Sequence, residues 1–547
     1  MRLTISALVL FAVSSCVAAI GDETHLAAGG LQVRKHHHHH HHHHHHKHKH
    51  HKAPTQPDGH THRPSHKKPD AIDSEPPSRH HHSTTTHHHH HHHSTTSTRA
   101  KPTSTKAKPT ASKTTSTAKG SSAPTHKYGL IHSDKIRGVN LGNWLVIESW
   151  MDSRITTALN KIAVHAPASV VKQTKGKPIV DEYTTGLYAD KANASALLMQ
   201  HFDDWMQEKD WRRIAEYGLN TVRIPVPHYA FPDCIEKGAP FLSLNRLDKL
   251  KEGVLMAKKY NLKVWLSLHS TPGSQNGYDS SGRVGPAQWA TSDEYVTLTK
   301  KAFNHLVDIF SQPPYAGSIL AIEPVNEPTA AQDPDILSTL KTYYPLAYNV
   351  VSNNAQQKKA SLIGNTATPQ MRFAAHDGWK GIKYWSEPTP FFDAGAREEM
   401  FFSLHAYWIF GDYVKNQTDS QRVASVCKYG QKIANFSSVY TIVTSECSIG
   451  APRGDNGWGR DMHQADHLQF NNPALDYPFS DEYMRFLALN FRAQQQAFER
   501  GAGWMLWTWK NYGGRSWSYK SGVRYGWLPR NAAELDQQPF GNLCPGW

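Results

Sequence analysis

The chain has 547 residues, enough for several domains or for one large α/β barrel. Its formal charge of +14 is concentrated in residues 20–125, which hold 15 Lys/Arg against 6 Asp/Glu, so the remainder is only mildly basic and no nucleic-acid partner is expected. No segment after the first twenty residues reaches 18 consecutive apolar residues, so no stable membrane insertion is expected either.

Residues 1–19 read as a secretory signal: Arg2, a short apolar run, then small residues at Val17 and Ala19, with cleavage after Ala19. The expected product is secreted, extracellular and associated with a cell wall. Of five cysteines, Cys16 falls in the signal. The other four, Cys234, Cys427, Cys447 and Cys544, allow two bridges in three connectivities. None has the short spacing of a zinc site, and no metal is expected there. Asn193, Asn416 and Asn435 each open an N-x-Ser/Thr sequon, a candidate for glycosylation in that compartment.

Residues 20–125 form an expected low-complexity arm. Of the 39 histidines in the chain, 27 fall between residues 36 and 93, in two tracts and between them. The stretch 94–125 is rich in Ser, Thr, Lys and Pro and has almost no large apolar residue. Such a segment cannot bury enough surface to offset its ordering entropy and resembles an O-glycosylated stalk. The histidines are candidates for binding metal or an anionic surface; a solvated tail without a ligand is the simpler reading.

From residue 126 to 547 apolar runs alternate with amphipathic stretches. Strands are expected at 136–141, 219–226, 262–269, 318–325, 360–365, 400–407, 439–446 and 502–509. One helix is expected over 203–218, with Trp205, Trp211 and Ile214 on one face, and another over 480–501. Eight strands alternating with helices predict a (β/α)8 TIM barrel, here acting as a single catalytic domain and as a monomer.

In such a barrel, polar residues at strand C-termini carry the chemistry. They are Arg223, His269, Asn326 with Glu327, His405 with Tyr407, Glu446, and the aromatic Trp507. Two glutamates on strands four and seven suit glycoside hydrolysis, which needs an acid for the leaving oxygen and a carboxylate at the anomeric carbon. Glu323 shares strand parity with Glu327. Four residues of strand would put it some ~13 Å deeper, which predicts a structural role.

The stretches "RGVNLGNWLVIESW", "LNTVRIPVPHYAF", "LHSTPGSQNGYDSSG", "EPVNEP", "HAYWIF", "TSE" and "GWMLWTWKN" resemble, in order, those of the fungal exo-β-1,3-glucanases of glycoside hydrolase family 5. The resemblance covers about residues 128–547. It implies a TIM barrel, no cofactor, retention of anomeric configuration, and a β-glucan polysaccharide as substrate. It further implies that Glu327 is the acid/base, Glu446 the nucleophile, Arg223 and Tyr407 hydrogen-bond donors to Glu446, and Asn326 the partner of the sugar 2-OH. His269, His405 and Glu148 would line the −1 subsite, Trp507 would lie under the sugar, and Tyr278 and Phe410 would clamp the mouth, with Trp517 at the same rim. It implies a Cys427–Cys544 bridge, leaving Cys234 and Cys447 paired or free. Asn143 and Cys447 depart from the usual family pattern, as does the loop after Glu446. Linkage preference therefore stays open between β-1,3-, β-1,6- or mixed glucan and transglycosylation. A different class of function, a wall- or metal-binding protein acting through the arm, is the remaining alternative.

Overall fold

The computed structural model describes residues 135–354, 371–387, 392–410, 414, 417–450, 479–534 and 540–544. The expected signal and arm, Asn416, and the loop over residues 451–478 lie outside the described residues.

Eight strands, buried along nearly their whole length, form the centre of the fold. They are β1 Ile136–Asn140, β2 Thr221–Val226, β3 Lys263–Leu268, β4 Ile319–Glu323, β5 Arg372–His376, β6 Phe401–Tyr407, β7 Thr441–Ser448 and β8 Gly503–Leu506. Each pairs in parallel with the next, and β8 closes on β1. Burial on both faces explains why these segments read as apolar runs rather than as alternating ones. Among the surrounding helices are α1 Lys191–Trp205, α2 Glu208–Glu216, α3 Arg246–Lys259, α4 Asp293–Phe310, α5 Pro334–Ser352, α6 Asp419–Phe436, α7 Asp481–Phe498 and α8 Tyr519–Tyr525. No helix among the described residues is long and apolar enough to cross a membrane.

The (β/α)8 expectation holds, with two corrections. The fifth strand is Arg372–His376, whereas the expected 360–365 lies outside the described residues. The sequence "RFAAH" offers one large apolar residue between Arg and His, so neither strand pattern flags it. Its Ala374 sits where Trp265 and Phe401 already fill the barrel interior, and a small residue is what the space admits. The expected single helix over 203–218 is instead two. Met206 and Gln207 are extended, and Asp210 turns back to accept from the Gln207 backbone N–H at 3.3 Å. Asp210 also accepts from Trp509 Nε1 (3.0 Å) and faces Lys510 and Lys520, so the break anchors the segment after β8.

Two irregularities in strand register shape the interior. Between β6 and β7, Leu404 aligns with Thr444 but His405 with Glu446, which leaves Ser445 as an extra residue. Strict alternation would turn Ser445 and Glu446 to opposite faces; the bulge lets both make contacts inside the barrel. Ser445 Oγ meets Ser403 Oγ at 2.5 Å, and Glu446 meets Arg223. A similar shift between β3 and β4 leaves Leu320 extra, and Leu320 joins Ala321 in the interior apolar cluster.

Cys427 on α6 and Cys544 form a disulfide, as the resemblance implied, and Cys234 and Cys447 are free and buried. Asn193 and Asn435 are exposed on α1 and α6.

Candidate active site

The site is assembled around one guanidinium. Arg223, on β2 and fully buried, donates through Nε and Nη2 to Glu323 Oε2 (3.2 and 2.5 Å) and through Nη1 to Glu446 Oε1. It also donates to Asn140 Oδ1 (3.0 Å), Ser267 Oγ (2.9 Å) and Asn326 Oδ1 (2.8 Å). Six hydrogen bonds to partners on four strands and one loop fix the guanidinium, so Glu446 is held by a pre-set donor. Tyr407 Oη donates to the other oxygen, Glu446 Oε2, at 2.7 Å.

Glu327 reaches the same place by another route. β4 ends at Glu323, and the chain then bends, so the shared-parity argument for Glu323 and Glu327 does not apply. Glu323 is not isolated below the mouth either: one guanidinium separates it from Glu446. The bend is held by Asn326 N–H to Leu268 O (3.0 Å) and by Gln275 Nε2, which donates to both His269 O and Asn326 O (2.9 Å each). Glu327 has φ 45°, a left-handed conformation that a non-glycine residue adopts at a cost of about 1–2 kcal/mol. Its Oε1 lies 2.7 Å from His405 Nδ1, which is 3.4 Å from Glu446 Oε2. One oxygen of each glutamate and this ring nitrogen lie within 4.8 Å of one another.

The two carboxyls differ in what opposes burial. Burial raises Glu446 to about 7 while Arg223 and the Tyr407 hydroxyl pull it back down. Burial and then the charge of Glu446 hold Glu327 well above the usual carboxylate range, with Arg223 as a smaller opposing influence. A proton shared by this pair therefore sits on Glu327. Burial keeps His405 and His269 neutral, well below the usual imidazole range.

A profile of the family described as cellulase (glycosyl hydrolase family 5) matches residues 181–465. The chain belongs to glycosyl hydrolase family 5. Among curated relatives, a probable glucan 1,3-beta-glucosidase A of Emericella nidulans is 30% identical over 432 residues, spanning 75% of this chain and 93% of the relative. Glucan 1,3-beta-glucosidase 1 of Schizosaccharomyces pombe is 29% identical over 401 residues, spanning 73% and 88%. Among solved structures, rutinosidase from Aspergillus niger superposes with a TM-score of 0.53 at 17% identity, covering 72% of this chain and 98% of that one, a likeness of fold.

Trp507, at the end of β8, is buried and stacks on His269 (centroids 5.7 Å apart, 12° between planes). Asn326 Nδ2 has no partner among the described residues, which leaves a donor beside the glutamates. Glu148 is buried after β1 and accepts from Trp150 Nε1 (3.0 Å), while its Oε1 has no partner among the described residues. Burial raises its carboxyl well above the usual range, and Asp279 raises it further. Its backbone N–H donates to Asn143 Oδ1 (2.8 Å), and Asn143 has φ 57°. The departure at Asn143 thus keeps a left-handed turn, which asparagine tolerates, and adds a hydrogen bond that glycine lacks.

Phe410 packs on Tyr407 (5.8 Å) and Trp517 (6.3 Å). Trp517, expected at the rim, is instead buried between Trp150, Tyr407 and Phe410. Tyr278 is half-buried and immediately precedes the turn Asp279–Ser281.

Sequence reasoning gave no role to Asn140, Ser267, Gln275, His376 or Ser403, and too little to Glu323. Ser403 Oγ donates to Glu323 Oε1 (2.8 Å). His376 meets His405 edge to face, with centroids 4.3 Å apart. Gln275 stood in a quoted motif, and burial of its amide between two strand ends is the signal that singles it out.

Proposed function

We propose that this chain is a secreted, retaining β-glucosidase-type hydrolase that releases glucose from cell-wall β-1,3-glucan. The observation that carries the reading is the asymmetric pair: Glu446 gripped by Arg223 and Tyr407, and Glu327 kept protonated within reach of the same bond. In the first step Glu327 gives its proton to the glycosidic oxygen as Glu446 attacks the anomeric carbon. Formation of the ester consumes the Glu446 charge, so the Glu327 pKa falls. In the second step Glu327 takes a proton from water, which displaces Glu446. Oxygens within 4.8 Å suit this double displacement, because inversion needs carboxyls about 6.5–9.5 Å apart to admit a water.

In this reading Asn326 Nδ2, a donor without a partner among the described residues, holds the sugar 2-OH, and Trp507 faces the ring. The names of the relatives, glucan 1,3-beta-glucosidase, support the linkage. Residues 126–547 are the catalytic unit in this reading, and residues 20–125 tether it to the wall.

The test is NMR of the first-formed anomer together with products on β-1,3-, β-1,6- and β-1,4-linked glucans. We expect β-glucose, mainly from the β-1,3 polymer. An α-anomer would overturn retention, and a preference for another linkage would overturn the substrate. Glu327→Gln should lower turnover by roughly 10²–10⁴-fold and Glu446→Gln by at least as much.

A further inference from the structure

Away from the barrel axis, three metal-ligating side chains of different kinds converge. The turn Pro232–Cys234, which follows β2, carries Asp233 and Cys234, and α4 supplies His305. His305 Nε2 lies 3.0 Å from Asp233 Oδ2, and Cys234 Sγ lies 3.7 Å from Asp233 Oδ1. One donor atom from each residue falls within 4.8 Å of the others. A tetrahedral zinc ion with ligands at about 2.0–2.3 Å sets its donors about 3.3–3.7 Å apart, so closing this set requires shifts of about an ångström. The His305 ring is already oriented, stacked on Phe231 at 5.2 Å and 29°. Cys234 is buried and outside any disulfide, and among the described residues its thiol has a single long contact, to Asp233.

The geometry points to a zinc site formed by Asp233, Cys234 and His305, with an open fourth position for water. A thiolate and an imidazole select a borderline-soft transition metal over calcium or magnesium. Binding releases the Cys234 thiol proton to solvent as the sulfur–metal bond forms. Lys301 stands one turn before His305 on α4 and contacts Asp233 Oδ2 at 3.0 Å. Its ammonium occupies the carboxylate that the metal needs, so it competes with the ion. The ion would join the turn after β2 to α4, which makes the site a brace and not part of the reaction.

Cobalt(II) titration of the full chain tests this, because thiolate ligation gives a sulfur-to-metal charge-transfer band in the near ultraviolet. The histidine-rich segment of residues 36–93 contains no cysteine and cannot produce that band. The wild-type chain should show it, and zinc should displace it. Cys234→Ser should abolish it. His305→Ala, at a partly exposed position, should weaken binding at least about tenfold. Lys301→Met should tighten it several-fold. Absence of the band in the wild type, its persistence in Cys234→Ser, or unchanged affinity in His305→Ala would each overturn the site.

Discussion

Where the barrel strands begin, the interior is filled by Ile136, Trp265, Ala374, Phe401, Val443 and Met505, and Trp265 lies 5.3 Å from Phe401 between ring centroids. Further along the same strands the interior is filled by Asn140, Arg223, Ser267, Glu323, Ser403, Ser445 and Glu446, all buried and joined by hydrogen bonds. Both regions are tightly filled, but they fail differently when cut. Truncating the apolar plug leaves a cavity. Truncating the polar belt leaves an unpaired charge, and in the proposed mechanism the same charges orient the reacting groups.

The largest effect should follow Arg223→Met, because it strands Glu323 and Glu446 together. Breaking a buried pair this way costs about 3–5 kcal/mol of stability, and turnover should fall to near the detection limit. Adding Glu323→Gln should restore much of the stability and none of the activity. Denaturant unfolding and kcat/KM on a β-1,3-glucan check both halves. Recovery of activity in the double variant would mean that Arg223 only neutralises Glu323.

Trp265→Ala should also cost about 3–5 kcal/mol, yet kcat per folded molecule should stay near wild type. A matching loss of kcat would erase the distinction between the two regions.

The plug was largely legible in the sequence. Its residues come from apolar runs whose lengths already implied strands, and only the short "RFAAH" strand escaped. The belt was half legible. Arg223, Glu446 and Tyr407 stood out as polar residues in apolar runs, but Ser267, Ser403 and Asn140 are small and polar and look unremarkable anywhere. Their importance arises from closure of the barrel, which brings residues from several strands onto one guanidinium. Glu323 was placed too deep because strand spacing was carried past the point where β4 ends. The grouping of Asp233 with His305, 72 positions apart, has no sequence signature at all.

A third expectation concerns pH. Glu327 has a folded-state pKa raised above its unfolded value of about 4.3. The folded protein therefore binds this proton more tightly than the unfolded chain. Its contribution to stability is intact below about pH 4.3 and is lost as pH rises through the folded value. Glu327→Gln should consequently raise Tm more at pH 8 than at pH 5, while lowering turnover at both. Equal shifts at the two pH values would show that burial does not oppose ionisation there.

The smallest effect should come from His376, which tests how far the belt extends. It sits at the end of β5 against His405, the partner of Glu327, and so looks like part of the chemistry. Its contacts say otherwise. Nδ1 accepts from the Gly378 N–H (3.0 Å), which puts the ring proton on Nε2. Burial holds its pKa down at about 3, so the ring is neutral near neutral pH. A neutral ring packed edge-on supports His405 by shape. His376→Phe keeps most of that shape and should change kcat by less than about tenfold, with both limbs of the pH–rate profile within about one pH unit of wild type. A larger shift of the alkaline limb would instead make His376 a partner in setting the Glu327 proton, and the polar belt would then reach β5 as well.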